Sequence, residues 1–355
     1  MTFTITRGAG LPGNVDFVLD TESTEPIRIL QLTDTQTIDL DAVRNPVRNE
    51  QIRAVYFYDE RFSMEERCYG QVKKLVSELS PDLIVLTGDN VYGEFDDKGR
   101  MMKEFVALMD SFGIPWAPVF GNHDNESRLG VTWQKEQFLA AKHCLFADQP
   151  VTGNCNYSIL IRQNGTPTRL LFFFDANGCR VIGNPGAPEE GLLVDNPDYD
   201  KIAQRAGLYP DQTAWFVRVV TGLEKETGRR VPSLAFLHAP LRAFRDTLLA
   251  KYGQFEETLD LTAPEDEGWL DEGDFFPIDP FNSFYEVAEV LGLNGVFVGH
   301  YHNNAAKITG KKAVFVFGMK TGDVTYPPRP RRTGGTLITV TPDGAVPGVA
   351  FVPAD

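Results

Sequence analysis

Three apolar runs of strand length, each ending in a cluster of polar side chains, constrain this chain more than any other feature. Ile27 to Thr33 (IRILQLT) runs into Asp34 and Gln36, Leu83 to Thr87 (LIVLT) into Asp89 and Asn90, and Trp116 to Phe120 (WAPVF) into Asn122 and His123. The runs are apolar enough to be buried on both faces, as strands of a parallel sheet are. Between them, Glu65 to Leu79 and Lys98 to Phe112 carry apolar residues at helical spacing, and Ser80-Pro81 and Gly113-Ile114-Pro115 supply helix stops. The pattern is βαβαβ. Open α/β sheets hold ligands at the carboxyl ends of their strands, so the three clusters fall on one rim and the spacing predicts a site there.

The later half is richer in strands: Tyr157 to Ile161, Arg169 to Asp175, Ser233 to His238, Gly295 to Gly299, Ala313 to Phe317 and Thr336 to Val340. Helices are expected over Gln212 to Leu223 and Phe284 to Leu291. Two packed sheets flanked by helices is the simplest architecture for that inventory. A length of 355 residues has room for two domains, but polar clusters running from Asp34 to His302 must converge on one small site. One domain over residues 1–355 is therefore expected, with insertions near 44–61 and 252–282. The first is longer than an ordinary strand-to-helix connection and is a candidate site-lining loop. Its Arg44, Arg48, Arg53 and Arg61 read either as scattered surface charges or as a grip on a second phosphate, as do Arg329, Arg331 and Arg332. The second insertion has no Lys or Arg while acidic residues accumulate from Glu256 to Asp274, so it reads as a solvated acidic loop or as a lid that screens by charge.

Composition narrows the partners. A net charge of -15 argues against nucleic acid or an anionic membrane, both of which reward a basic face. It does not argue against a small phosphorylated substrate, because bound metal ions reverse the field locally. No apolar run approaches the ~18 residues of a membrane span, and Met1-Thr-Phe-Thr-Ile-Thr-Arg-Gly lacks the features of a signal peptide, so a cytoplasmic location is expected. Cys68, Cys144, Cys155 and Cys179 show no paired metal spacing and read as reduced, mostly buried thiols. The oligomeric state is not legible.

Four of the five histidines stand in three short stretches: Gly121-Asn122-His123-Asp124, Leu237-His238-Ala239 and Gly299-His300-Tyr301-His302. Together with Asp34 and Asp89 they resemble, in order and local context, the ligand set of the calcineurin-like metallophosphoesterases. Thr87-Gly-Asp-Asn-Val-Tyr-Gly93, Pro115 to Ser127, Gly318-Met-Lys-Thr-Gly322 and the tail from Arg331 to Val340 are similar to a narrower branch, the purple acid phosphatase 29-like or Dcr2-like proteins. The resemblance covers roughly Ile27 to Val340. It implies a four-layer α/β/β/α sandwich of two mixed sheets flanked by helices. It also implies a dinuclear metal centre and a phosphatase or phosphodiesterase that attacks a phosphate ester with metal-bound hydroxide.

On that basis Asp89 is the bridging carboxylate, with Asp34, Gln36 and His302 on one side and Asn122, His238 and His300 on the other. Nitrogen and oxygen ligands of this kind suit manganese, iron or zinc. Two divalent ions against two carboxylates leave the site near plus two, which suits a phosphoryl group. His123 is placed to stabilise the transition state or protonate the leaving alkoxide, with Asp124 either orienting it or capping a turn. The superfamily usually has Asp-x-His where this chain has Asp34-Thr-Gln36, so Gln36 is either a weaker, neutral ligand or a residue behind the ligands. Tyr92 matches the Gly-Asp-x-x-Tyr of true purple acid phosphatases; it either ligates a ferric ion or packs near the metals. A different class also stays open: a catalytically weak, metal-containing module that binds phosphate or a nucleotide without cleaving it. A nuclease is a weaker third reading.

Overall fold

Residues 1–39, 64–178, 198, 201, 206–255, 258–271, 284–323, 325 and 332–354 are described by the computed structural model. The first insertion, Cys179, Arg329, Arg331 and residues 272–282 lie outside them. In chain order the described strands are β1 (Thr4–Arg7), β2 (Phe17–Thr21), β3 (Ile27–Leu32), β4 (Leu83–Thr87), β5 (Trp116–Val119), β6 (Tyr157–Gln163), β7 (Thr166–Phe173), β8 (Ser233–Phe236), β9 (Leu259–Asp260), β10 (Glu267–Leu270), β11 (Leu293–Val298), β12 (Ala305–Thr309), β13 (Val314–Phe317), β14 (Gly334–Val340) and β15 (Gly348–Pro353). The α-helices are α1 (Met64–Leu79), α2 (Arg100–Ser111), α3 (Gly130–Ala140), α4 (Pro210–Thr227), α5 (Arg242–Tyr252) and α6 (Phe284–Val290).

The three apolar runs become parallel neighbours. Ile29 pairs with Leu83 and Ile84 with Trp116, and antiparallel β14 and β15 extend the sheet to the order β15-β14-β3-β4-β5. The other sheet has ten strands in the order β1-β2-β6-β7-β8-β11-β13-β12-β10-β9, mixed in direction, with β7, β8, β11 and β13 parallel at its centre.

Side-chain alternation on the larger sheet builds both of its interfaces. Tyr157, Phe173, Phe236 and Phe297, on adjacent strands, stack across the sheet with ring centroids 4.6, 5.2 and 5.2 Å apart. They share a buried core with Ile29, Leu30, Val85 and Leu86 of the facing sheet, and with Val72, Leu75, Met101 and Phe105 of α1 and α2. The alternate residues Leu170, Phe172 and Phe174 join Trp215, Phe216 and Val219 of α4, Phe244 of α5 and Phe284 of α6. Each buried phenylalanine contributes about 1.5–3 kcal/mol through removal of its ring from water. The layers run α/β/β/α, as expected.

Two features differ from the sequence reading. Strands β1, β2, β12 and β15 and helices α3 and α5 were not anticipated, because their apolar periodicity is short or interrupted. The described part of the acidic insertion is not a free loop: β9 and β10 complete the edge of the ten-stranded sheet, Trp269 pairing with Ala305. Countercharge comes from elsewhere in the chain, with Lys251 Nζ 2.7 Å from Asp266 and 2.8 Å from Glu265, and Lys307 Nζ 2.6 Å from Glu267. Cys68, Cys144 and Cys155 are buried free thiols. Among the described residues no helix is long and apolar enough to cross a membrane.

Candidate metal centre

The carboxyl ends of five parallel strands meet at one place. β3, β4 and β5 deliver Asp34, Asp89 and Asn122, while β8 and β11 deliver His238 and His300 from the facing sheet. The turns are sharp. Asp34, Gln36, Asp89 and His300 all lie in the left-handed region, with φ of 54°, 42°, 52° and 72°. L-residues adopt that backbone at a cost, and such residues concentrate where a site requires it. Hydrogen bonds hold them: Asp34 N–H donates to Gly88 O (3.1 Å), Gln36 N–H to Asp89 O (2.9 Å) and Gly299 N–H to His238 O (3.0 Å). Glycines admit the close approach. A Cβ on Gly88 would lie 2.8 Å from His238 Nδ1, and one on Gly299 would lie 2.5 Å from Asp34 Oδ2.

The side chains converge acceptor against acceptor. His238 Nδ1 lies 2.8 Å from Thr87 O, a carbonyl that can only accept, so the proton sits on Nδ1 and the Nε2 lone pair is directed into the site. There Nε2 is 3.1 Å from Asn122 Oδ1, 3.4 Å from Asp89 Oδ2 and 3.3 Å from His300 Nδ1. His300 Nδ1 is in turn 2.9 Å from Asn122 Oδ1. On the other side His302 Nε2 lies 3.3 Å from Asp34 Oδ1. Ligand atoms of Asp34, Asp89 and His238 all fall within 4.8 Å of one another. Lone pairs gathered this closely repel unless a cation stands among them, so the donor set fits metal ions.

Titration behaviour has the same origin. Burial by itself would lower the pKa of His238, but the Asp89 carboxylate, helped by Asp34, overrides it and lifts the value to about 10. Burial and then the His238 charge push His300 down to about 3. Burial opposes ionisation of Asp34 and Asp89, yet His302 beside Asp34 and His238 beside Asp89 hold both carboxyls below their ordinary range. The carboxylates therefore draw one proton into the cluster, where a metal ion would compete with it.

Asp89 is shared between the two sides. Its Oδ1 accepts from His123 N–H at 2.8 Å, and Oδ2 faces both His238 and Gln36. Gln36 Nε2 donates to Asp89 Oδ2 (2.8 Å), while Gln36 Oε1 accepts from Thr325 Oγ1 (2.9 Å). Of the two roles open to Gln36, this arrangement is the one behind the ligands; turning the amide over would present its carbonyl oxygen instead.

Asp124 does not orient His123. Its carboxylate accepts from the N–H groups of Gly121 (2.7 Å), Val91 (3.1 Å) and Asn90 (3.3 Å) and from Asn90 Nδ2 (3.2 Å), so it ties the loops after β4 and β5 together. Burial, with Asp89 nearby, raises its pKa to about 7 against those donors. The carboxylate on His123 is Glu126, with Oε2 2.8 Å from Nδ1. A three-residue spacing across a short 3-10 turn brings the two together, a signal present in His123-Asp-Asn-Glu126. Sequence reasoning missed both Glu126 and Thr325. Tyr92 packs its ring against His123 and Phe95, with centroids 4.1 and 4.9 Å away. His143 stands apart, its N–H on Asp110 at 2.7 Å.

The profile of the calcineurin-like phosphoesterases matches residues 27–304. The chain is similar to "probable inactive purple acid phosphatase 28" of Arabidopsis thaliana, 28% identical over 271 residues, which are 72% of this chain and 62% of that protein. It is 28% identical to "phosphatase DCR2" of Saccharomyces cerevisiae over 183 residues, 48% of this chain and 28% of that protein. The chain thus spans less than two thirds of the length of these curated relatives. A solved dimetal phosphatase from Danio rerio superposes over 92% of this chain and 99% of its own, with a TM-score of 0.52 and 12% identity, a likeness of fold.

Proposed function

This chain belongs to the calcineurin-like phosphoesterase family, and we propose that it is a metal-dependent hydrolase of small phosphate esters. The observation that carries this reading is the convergence of Asp34, Asp89, Asn122, His238, His300 and His302 beside a histidine, His123, that binds through no metal-facing contact described here and is backed by its own carboxylate. Asp89 would bridge two ions, with Asp34 and His302 on one side, joined by Gln36 if its amide turns, and Asn122, His238 and His300 on the other. When bound there, two divalent ions would acidify a coordinated water and polarise the phosphoryl oxygens. Manganese, iron or zinc suits this donor set.

The chain's own residues supply the proton chemistry. Glu126 holds His123 Nδ1–H, which fixes the tautomer and leaves Nε2 to carry a proton to the leaving oxygen. The burial of both, at 6% and 3% exposure, strengthens that pairing by excluding water. Packing of Tyr92 on the imidazole supports a positioning role for its ring.

One observation favours a second reading. The amide of Gln36 turns its donor toward Asp89, which supports a metal-containing phosphate-binding module of low activity. The deciding experiment is metal content by elemental analysis, measured with hydrolysis of p-nitrophenyl phosphate and bis-p-nitrophenyl phosphate on the same sample. Turnover that tracks two bound ions is the expected result. Two ions with no turnover of either ester transfers the reading to the binding module.

A further inference from the structure

Behind the Asp34 side of the centre stands a buried ammonium for which the functional reading has no use. Lys320, only 1% exposed, follows β13 in the Gly318-Met-Lys-Thr-Gly322 stretch, and its Nζ donates to the backbone carbonyl of Asp34. The stretch is fastened to the ends of β3, β11 and β14. Thr321 N–H donates to Thr33 O (2.9 Å), Thr33 N–H to Thr321 Oγ1 (3.3 Å), Gly318 N–H to Val298 O (2.9 Å) and Met319 N–H to Thr336 Oγ1 (3.0 Å). Held at both flanks, the ammonium cannot swing out to solvent. A cation taken from water needs negative charge around it, and Asp34, Asp89 and Asp323 are among the groups that favour its charged form. Asp323 is engaged by Arg67, which leaves the two carboxylates of the centre as its main counterions.

We propose that Lys320 is a built-in competitor for the negative charge of the centre, so that the position formed by Asp34, Gln36 and His302 binds its ion more weakly than the position formed by Asn122, His238 and His300. This rests on the metal reading given above. The ligands Asp34 and Asp89 carry two negative charges; the ammonium offsets one of them before any ion arrives. Its repulsion falls hardest on the ion nearest Asp34, whose carbonyl it touches. Gln36 acts in the same direction, because a neutral amide stands where a stronger imidazole ligand would. No such cation lies in the described contacts of the opposite position, which His238 and Asn122 build around a proton fixed on Thr87 O. The centre therefore fills in two steps, and at limiting metal it holds one ion.

The test is Mn²⁺ added to the metal-free full chain, followed by calorimetry and by the electron paramagnetic resonance signal of unbound Mn²⁺. The expected result is two binding steps in the wild type, separated by about tenfold or more, with Lys320→Met tightening the second step by ~tenfold and leaving the first unchanged. Lys320→Gln keeps a donor for the Asp34 carbonyl but removes the charge, and should give the same tightening. Gln36→Glu restores one negative charge without touching the lysine and should also tighten the second step. If Lys320 only anchors the Asp34 turn, Lys320→Met weakens the second step instead, and the proposal is overturned. Equal affinities in the wild type, or unchanged constants in all three variants, overturn it as well while leaving the functional reading intact. A wild type that binds no Mn²⁺ overturns both. Because none of these readouts is turnover, a catalytically silent protein with two unequal sites would sink the hydrolase and keep the inference.

Discussion

On the His238 side of the centre, a backbone carbonyl fixes the tautomer, and three side chains from two sheets crowd their lone pairs within 3.3 Å. On the Asp34 side, the contact between His302 and Asp34 is similar in length, but an amide donor and a buried ammonium stand against the carboxylates. The two sides draw on equally polar residues. What separates them is what lies behind each ligand, since a metal position is set by the charge and hydrogen bonds of its surroundings as much as by the donor atoms.

The largest effect should come from the residue both sides share. Asp89→Ala is expected to release both ions and reduce ester hydrolysis to background, read by elemental analysis and turnover on one sample; retention of two ions would show that the sides do not depend on a common bridge. Removing one ligand from each side sharpens the contrast. His238→Ala should empty both positions, whereas His302→Ala should cost only the weaker ion, and Mn²⁺ stoichiometry distinguishes them. Equal losses would erase the asymmetry.

His123 belongs to neither side. His123→Ala should keep both ions and lower kcat by ~10²–10⁴-fold, as loss of a general acid does. Glu126→Gln should lower kcat by ~10–100-fold and shift the pH profile while leaving KM almost unchanged, because Glu126 acts through the imidazole. If both variants keep the wild-type rate, the proton-transfer assignment fails.

The smallest effect lies off the centre and tests folding instead of binding. Asp96 accepts from the N–H groups of Met101 (2.9 Å) and Met102 (3.0 Å) at the start of α2, and burial outweighs those donors to raise its pKa to about 6 from 3.8. The native chain then holds a proton on Asp96 that an unfolded chain has lost. This group's stabilisation is complete below 3.8 and disappears as pH rises through about 6. Denaturant unfolding between pH 4 and 7 should therefore show the wild type gaining up to ~3 kcal/mol on Asp96→Asn as pH falls. A flat difference would mean that the carboxyl is ionised throughout.

Much of the fold was legible because it is written in local periodicity. LIVLT at 83–87 and the helical spacing before Ser80 and Gly113 need no partner to be recognised, and the elements formed within a few residues of where the spacing puts them. β1, β15 and the edge strands β9 and β10 were not legible. Short strands with polar faces owe their conformation to a neighbour's unpaired backbone, and Glu267 to Leu270 becomes a strand because β12 offers that edge.

The centre divides in the same way. Asp34, Asp89, Asn122, His238, His300 and His302 could be picked from sequence alone, since strand ends in an open α/β sheet point at one rim and these residue types share one chemistry. Adjacency in the chain misled for Asp124: it lies beside His123, but its carboxylate turns to the N–H groups of two loops, and Glu126 reaches the imidazole one turn later. Lys320 and Thr325 were beyond reach, being brought to the centre across 286 and 289 residues of chain. The sequence by itself determined which side chains could bind metal and on which rim they would stand, because strand periodicity and donor chemistry are local properties. Only the tertiary structure decided which carboxylate holds His123, which way Gln36 presents its amide and where a buried ammonium sits, because hydrogen bonds and charge act through space between residues that the chain keeps far apart.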